Sequence, residues 1–133
     1  MIQKGPNSFN AEEFMGLIES VGWATRQTIS LDGLEMAIKS STQMYGLRDS
    51  ENQLIAMARV LSDNYLFSTI PEILVHPNHQ KKGLGKFIME EIKKDFGHTI
   101  LYFGAQKGNE EFFEKLGFDK GMQSYSKKFK KGT

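Results

Sequence analysis

The sequence predicts one α/β domain with a mixed β-sheet flanked by helices. Two observations carry this prediction: apolar residues recur at helical spacing in four segments, and the segments between them have an extended, β-prone composition. In chain order the elements are helix, helix, strand, strand, strand, helix, strand, helix, strand. Three consecutive strands do not fit the alternation of a doubly wound fold, so a mixed sheet is expected. The 133 residues have the length of one ordinary domain, 1–133.

Two helices are predicted near the N-terminus. Asn10 and Glu13 have the spacing of a capping box, and the helix that follows is expected to run to about Ser20. Gly22 ends it, since glycine favours the conformation found just after a helix. Ser30 is placed to cap the second helix with its hydroxyl group.

Three strands are predicted next. Gln43–Asp49 and Gln53–Ser62 flank a polar turn and predict an antiparallel hairpin. The third extended segment, Tyr65–Val75, contains Pro71. Because proline has no N–H for a sheet ladder, it fits a bulge or an edge better than a fully paired central position.

Two further helix–strand pairs complete the chain. Gly83–Phe96 has helical spacing, and Thr99–Gly104 is short and apolar, which predicts a strand buried on both faces. Asn109–Leu116 predicts a short helix closed by Gly117. Met122–Phe129 predicts the last strand.

Composition excludes several classes of function. The net charge of +1 argues against an overall electrostatic attraction to nucleic acid or to an anionic membrane. The chain has no cysteine, which excludes disulfides, thiolate zinc sites and cysteine nucleophiles. No apolar stretch approaches the length of a membrane span, and the first residues lack a secretory pattern, so a cytoplasmic protein is expected. Three histidines without a second cluster of ligands predict no metal site.

The most informative segment lies between Val75, where an apolar strand ends, and the helix that Gly83 and Gly85 open. Helix N-termini have unpaired N–H groups and a positive dipole end, and glycine lets an anion approach the main chain, so a phosphate or pyrophosphate is favoured. The Walker and dinucleotide-binding patterns are absent, which argues against a nucleoside triphosphate or NAD. Two glycines alone are equally compatible with simple helix packing. Three lysines add positive charge: Lys81, Lys82 and Lys86.

The pattern Val75-x-Pro77-x-x-Gln80-x-x-Gly83-x-Gly85 resembles the acetyl-CoA loop of the GNAT superfamily of N-acetyltransferases, usually Gln/Arg-x-x-Gly-x-Gly/Ala. This resemblance favours a role of Gly83 and Gly85 in coenzyme binding over simple helix packing.

A second match lies downstream. Phe112–Phe118 is similar to the Phe-Tyr-Glu-Lys-Leu-Gly-Phe segment of the same family, and the resemblance covers roughly residues 22–129. Ala58-Arg59, Ser62-Asp63 and Gly121-Met122 resemble a small bacterial branch that is similar to the plant serotonin N-acetyltransferases.

The resemblance implies the GNAT acyl-CoA N-acyltransferase fold, in which a splayed strand pair of the mixed sheet holds acetyl-CoA. It implies acetyl transfer to a primary amine by direct attack in a ternary complex. Strand main chain would pair with the pantetheine arm, a bulge amide would face the thioester carbonyl, and loop amides would hold the pyrophosphate. The residues thereby assigned to the coenzyme are Ile73, Leu74, Val75, Gln80, Lys81, Lys82, Gly83, Leu84, Gly85, Lys86, Gln106, Asn109 and Phe113.

The catalytic residues are expected at two positions. Glu72 stands where many family members carry the acidic residue that takes the proton of the amine, although a charged residue at a strand start is equally ordinary. Phe113 replaces the tyrosine that commonly protonates the coenzyme sulfur, and phenylalanine cannot donate a proton. Tyr125 is the proposed acid, with Tyr102 and water as alternatives.

Other assignments stay open at this stage. Gln106 occupies the position of a family asparagine, with Asn109 nearby, and either is expected to contact pantetheine. Polyamines, arylalkylamines, amino sugars and protein amines are all candidate acceptors, and a homodimer is one expected assembly. A non-catalytic acetyl-CoA sensor and an interaction protein are the alternative functions. Four aromatic residues are candidates for an acceptor pocket or for the core: Trp23, Phe14, Tyr45 and Phe67.

Overall fold

The computed structural model of the chain describes residues 1–105 and 108–127. Within these ranges a single sheet of five strands is covered by helices on both faces. The elements are β1 (Gln3–Lys4), α1 (Ala11–Ser20), α2 (Leu31–Lys39), β2 (Gln43–Arg48), β3 (Leu54–Ser62), β4 (Phe67–Val75), a 3-10 turn (Pro77–His79), α3 (Leu84–Phe96), β5 (Ile100–Tyr102) and α4 (Glu110–Lys115). The longest of these helices, α3, has 13 residues, and none of the helices in the described ranges has the length and apolarity of a transmembrane span.

Side-chain caps start the first two helices, as predicted. The Asn10 side chain accepts a hydrogen bond from the Glu13 N–H at 2.8 Å, and the Glu13 carboxylate accepts one from the Asn10 N–H at 3.1 Å. This reciprocal pair is the predicted capping box. The Ser30 hydroxyl oxygen accepts from the Gly33 N–H at 3.0 Å and caps α2.

The sheet has the strand order β1-β2-β3-β4-β5. All neighbouring strands are antiparallel except β4 and β5, which are parallel, so the sheet is mixed. The predicted hairpin is confirmed, because β2 and β3 pair directly through a short polar turn.

Each face of the sheet carries its own hydrophobic core. Successive residues of a strand point to opposite faces, and Met57 and Ala58 accordingly belong to different clusters. The first cluster joins the sheet to α1 and α2, with Phe14, Ile18 and Leu34 among its members. The second joins the sheet to α3 and includes Ile88, Met89, Ile92 and Phe96. The sheet is therefore the middle layer between two layers of helices.

The pairing of β4 changes along its length. Only its first residues, Phe67–Thr69, pair with β5, so the remainder of that edge is open among the described residues. On the other side, Arg59 pairs with Glu72 while Leu61 pairs with Thr69, which leaves one extra residue on β4. This bulge contains Pro71, as predicted, and it marks the point where the two parallel strands part.

Two strand predictions need correction. Ile100 of β5 is 59% exposed, so this strand is not buried on both faces: helix α3 covers one face only. The segment Met122–Lys127, predicted to begin the last strand, is exposed and not a strand. Its apolar side chains contact no core, and a strand needs a partner for its main-chain groups. Residues 128 and 129 of that prediction lie outside the described residues.

The N-terminal strand β1 was not predicted. It has two residues and pairs with Tyr45 and Gly46 of β2. Lys4 fastens it to α3 through Asp95, at 2.9 Å. A strand this short has no periodicity of its own to be recognised in a sequence.

Candidate active site

A cleft of about 830 Å³ opens where β4 and β5 part. The outer half of β4 and the start of α3 form one side, and Phe103 and α4 form the other. Most residues that the sequence analysis assigned to the coenzyme line it: Ile73, Leu74, Val75, Gln80, Lys81, Gly83, Leu84, Gly85, Lys86, Asn109 and Phe113. Lys82 is exposed beside this cleft without lining it, and Gln106 lies outside the described residues.

The open edge of β4 presents main-chain groups to the cleft. The His76 N–H donates to the Ile55 carbonyl at 2.8 Å, so the main-chain groups of residue 76 face β3. Because these groups alternate along an antiparallel strand, those of Leu74 also face β3, whereas those of Ile73 and Val75 face the cleft. An extended ligand can therefore pair with Ile73 and Val75 as an added strand does.

Gln80 already touches this edge. Its side-chain amide nitrogen donates to the Val75 carbonyl oxygen at 3.1 Å. The Val75 carbonyl oxygen therefore accepts hydrogen bonds from the cleft side. Its present donor is a flexible side chain and not a neighbouring strand.

The N-terminus of α3 forms the next part of the cleft. Gly83 is its N-cap residue, with φ of 82° and ψ of 12°, and no side chain in the described ranges caps this end. A Cβ atom at Gly83 meets no heavy atom within 4 Å, so the space beside it is open. The first N–H groups of a helix lack partners within the helix and carry the positive end of its dipole. This end of α3 therefore suits an anionic group.

Charge and packing around the helix start favour the same ligand. The first turn of α3 contains no acidic residue, and Lys81 and Lys86 line the cleft beside it. A Cβ at Gly85 lies 4.0 Å from the Val75 side chain, which shows how closely α3 approaches β4.

Aromatic side chains build the opposite wall. Phe103 packs on Phe113 with ring centroids 4.6 Å apart, and Phe112 packs on Phe113 at 5.1 Å. Asn109, the N-cap residue of α4, lines the cleft beside them. The aromatic wall thus faces the β4 edge across the cleft.

Glu72 lies at the floor of the cleft beside the bulge. It is only 8% exposed, and both of its carboxylate oxygens accept hydrogen bonds from Arg59. The distance between Arg59 Nη2 and Glu72 Oε1 is 2.9 Å. A buried carboxylate held by a two-pronged guanidinium remains able to accept further bonds through its free lone pairs.

Residues 40–120 match the family model described as an acetyltransferase (GNAT) domain. The chain belongs to the GNAT acetyltransferase family. The family that the sequence analysis predicted from the glycine loop of this GNAT protein is therefore confirmed.

Relatives by sequence carry acetyltransferase names. The chain is 35% identical over 120 residues to an N-acetyltransferase ycf52 of Porphyra purpurea, covering 85% of this chain and 67% of that protein. It is 31% identical over 142 residues to the chloroplastic GCN5-related N-acetyltransferase 2 of Arabidopsis thaliana, covering 86% of this chain and 54% of that protein. The chain thus spans between about half and two thirds of these relatives.

Solved structures share the fold. A GNAT family protein of Streptococcus pneumoniae superimposes with a TM-score of 0.77 at 21% identity, over 96% of this chain and 98% of that chain. An acetyltransferase structure from Deinococcus radiodurans gives 0.80 at 20% identity, over 96% and 87%. At these identities the likeness establishes the fold and nothing about the substrate.

The tyrosines considered as proton donors lie away from the cleft of this GNAT protein. Tyr125 is 90% exposed in a segment that is not a strand, and it does not line the cleft. Tyr102 packs on Phe67 with ring centroids 5.1 Å apart, and neither ring lines it. The described part of the cleft lining contains no tyrosine.

The aromatic candidates for an acceptor pocket separate in the structure. Trp23 lines the cleft and is 52% exposed, whereas Phe14 and Tyr45 belong to the core. The Tyr45 hydroxyl donates to the Asp95 carboxylate at 2.8 Å, and burial together with this bond raises its pKa. Trp23 is therefore the one of these four aromatic residues that an acceptor can reach in the cleft.

Sequence reasoning missed several residues of the site, among them Phe103 of the aromatic wall. His79 lines the cleft, although the histidines entered the sequence analysis only in the argument against a metal site. Arg59 was noted only for its resemblance to relatives, and its contact with Glu72 was not predicted. The available signal was an arginine inside an otherwise apolar strand, since such a charge needs a partner.

Proposed function

We propose that the protein transfers the acetyl group of acetyl-CoA to a primary amine. The observation that carries this proposal is the meeting, in one cleft, of an open strand edge at Ile73 and Val75 with the uncapped N-terminus of α3. The first offers hydrogen bonds to an extended arm with amide groups, and the second offers them to a diphosphate. Acetyl-CoA combines these two chemical groups with a reactive thioester.

Different parts of the cleft bind different parts of acetyl-CoA. The main-chain groups of Ile73 and Val75 bind the pantetheine arm, and the Gln80 side chain gives up its bond to Val75 when they do. The amides at Gly83–Lys86 and the neighbouring lysines hold the pyrophosphate. Asn109 and the phenylalanine wall enclose the arm from the other side.

The reaction is a direct displacement. Acetyl-CoA supplies the thioester: the amine nitrogen forms a bond to its carbonyl carbon, the carbon–sulfur bond breaks, and the thiolate takes a proton. Glu72 accepts the proton of the amine, directly or through a water molecule. A main-chain N–H beside Pro71, which has no N–H of its own, stabilises the negative charge on the carbonyl oxygen. Because the described cleft lining has no tyrosine, a water molecule rather than Tyr125 gives a proton to the thiolate, and the proton that Glu72 accepted from the amine replaces it.

A non-catalytic acetyl-CoA sensor is the second candidate function. It is favoured by Phe113, which lines the cleft at a position where a tyrosine would donate a proton. Both candidates require coenzyme binding, and they differ only in turnover.

Two measurements test the proposal. Calorimetry with acetyl-CoA and CoA is expected to detect binding, and ligand at 100 times Kd should add about 2.7 kcal/mol to the unfolding free energy. Thiol release is then followed with polyamines, arylalkylamines, amino sugars and amine-bearing peptides. Amine-dependent release supports the enzyme, and binding without release across the panel supports the sensor. Lack of binding contradicts both. A homodimer and a cytoplasmic location stay predictions.

A further inference from the structure

Glu72 is buried beside the guanidinium of Arg59. Its two oxygens accept from Nε and Nη2 of Arg59, and the two residues stand opposite each other in the register of β3 and β4. A carboxylate removed from water is costly unless it is paired and hydrogen-bonded. Arg59 thus offsets the desolvation of the group that the proposed function uses as its base.

Arg59 is itself held in place on its remaining sides. Its Nη1 donates to the Ala37 carbonyl at 3.1 Å and to the Ser41 hydroxyl at 3.3 Å, both in the region where α2 ends. Its guanidinium carbon lies 5.6 Å from the centre of the Phe14 ring on α1. Because the guanidinium is planar and fixed by two helices, the plane of the paired Glu72 carboxylate is fixed with it.

The pairing with Arg59 does not use all the hydrogen-bonding positions of the Glu72 carboxylate. A carboxylate has about four lone-pair positions, and a two-pronged arginine occupies two of them. The remaining positions are free for an amine or a water molecule at the cleft floor. The carboxylate also adjoins the bulge at Pro71, where β4 parts from β5.

We propose that Arg59 is the positioning residue for Glu72: its guanidinium pairs with the buried carboxylate and aims it at the acceptor amine. This inference rests on the proposed function and extends it to a residue outside the cleft lining. The other titratable groups that line the described part of the cleft are His79, Lys81 and Lys86.

The chain contains a matched control pair. Arg48 also binds a glutamate through two prongs, with Nη1 2.6 Å and Nη2 2.9 Å from the Glu13 carboxylate oxygens. Neither residue lines the cleft. Substitution of Arg48 therefore removes the same kind of ion pair and leaves the proposed chemistry untouched.

The test compares Arg59→Met with Arg48→Met in the full chain. At pH 7, Arg59→Met is expected to lower kcat about 10- to 100-fold, part of the contribution of a positioned general base. The affinity for acetyl-CoA, measured by calorimetry, should stay within about twofold. Arg48→Met is expected to keep the wild-type kcat.

Two further variants guard against a trivial loss of folding. Arg59→Lys keeps the cation without the two-pronged geometry and should recover part of the lost rate. The double variant Arg59→Met/Glu72→Gln should be no slower than Glu72→Gln alone, because the arginine acts through the carboxylate.

The outcomes separate this inference from the proposed function. Failure of the wild-type protein to release thiol with any amine contradicts both. Wild-type release together with an unchanged kcat in Arg59→Met, or in Arg59→Lys where the methionine variant does not fold, contradicts the role of Arg59 alone.

Discussion

The two sides of the cleft are built from different parts of the chain. On the proposed coenzyme side, main-chain atoms of β4 and of the start of α3 face the cleft, with the side chains of Lys81, Lys86 and Asn109 beside them. On the proposed acceptor side, the cleft is lined by Trp23 and Glu72, the latter held by Arg59. The coenzyme side should therefore tolerate many side-chain substitutions but not a bulky anionic group at its glycine. The acceptor side should be sensitive to single side chains.

The largest expected effect breaks the coenzyme side at Gly83. Gly83→Glu adds a negative charge where the pyrophosphate is proposed to bind, and it forces a side chain into a left-handed backbone conformation. We expect the affinity for acetyl-CoA to fall at least about 100-fold, equivalent to about 2.7 kcal/mol. Calorimetry measures this directly.

Gly16→Glu is the control for that substitution. Gly16 lies on α1, where an added Cβ meets no heavy atom within 4 Å. It gives the chain the same extra charge away from the cleft lining, so coenzyme binding should be unchanged. Gly83→Ala separates strain from charge, since alanine in this conformation costs about 1–2 kcal/mol and adds no anion. Wild-type affinity in Gly83→Glu contradicts the proposed pyrophosphate site.

The next effect belongs to the acceptor side. Glu72→Gln removes the proposed base but keeps the size of the side chain, so kcat at neutral pH should fall about 100-fold or more. Acetyl-CoA affinity should change little, because the carboxylate faces away from the helix start. The measurement is kcat against pH with a saturating amine. An unaltered pH–rate profile removes Glu72 from the mechanism.

A smaller effect is expected at Trp23. It is the only tryptophan of the chain and is half exposed in the cleft, so its fluorescence reports on this side alone. Trp23→Ala should raise the KM for the amine about 10-fold, close to the 1–3 kcal/mol that burial of a large side chain contributes. The Kd for acetyl-CoA should not change, and Trp23→Phe should recover most of the loss. An equal rise in both constants contradicts a role limited to the acceptor.

The difference between the two sides of the cleft also explains which parts of the site the sequence could predict. The loop from Gln80 to Gly85 is local: the glycine spacing after an apolar strand predicts its backbone conformation, and the proposed anion site follows from that conformation. The contact between Arg59 and Glu72 depends on strand register across a bulge, which no local pattern encodes. The strand predicted at Met122–Phe129 was wrong in its described part for a related reason, since composition cannot supply a pairing partner.

The smallest effect concerns the stability of the fold, at the pair of Glu13 and Arg48 outside the cleft lining. The Arg48 guanidinium holds the pKa of the Glu13 carboxyl below its usual range, and the Asn10 N–H adds to this. A pKa lowered in the folded state stabilises the protein above the unfolded value of about 4.3 and is lost as pH falls through the folded value. Glu13→Gln should therefore cost about 1 kcal/mol at pH 7 and flatten the fall in stability below pH 5. Urea melts at several pH values measure both the loss of stability and its dependence on pH.

Glu12→Gln, at the exposed pair with Arg26, is the control and should change stability less. A loss in Glu13→Gln that is the same at pH 7 and pH 3 contradicts the linkage, because the ion pair exists only while the carboxyl is charged.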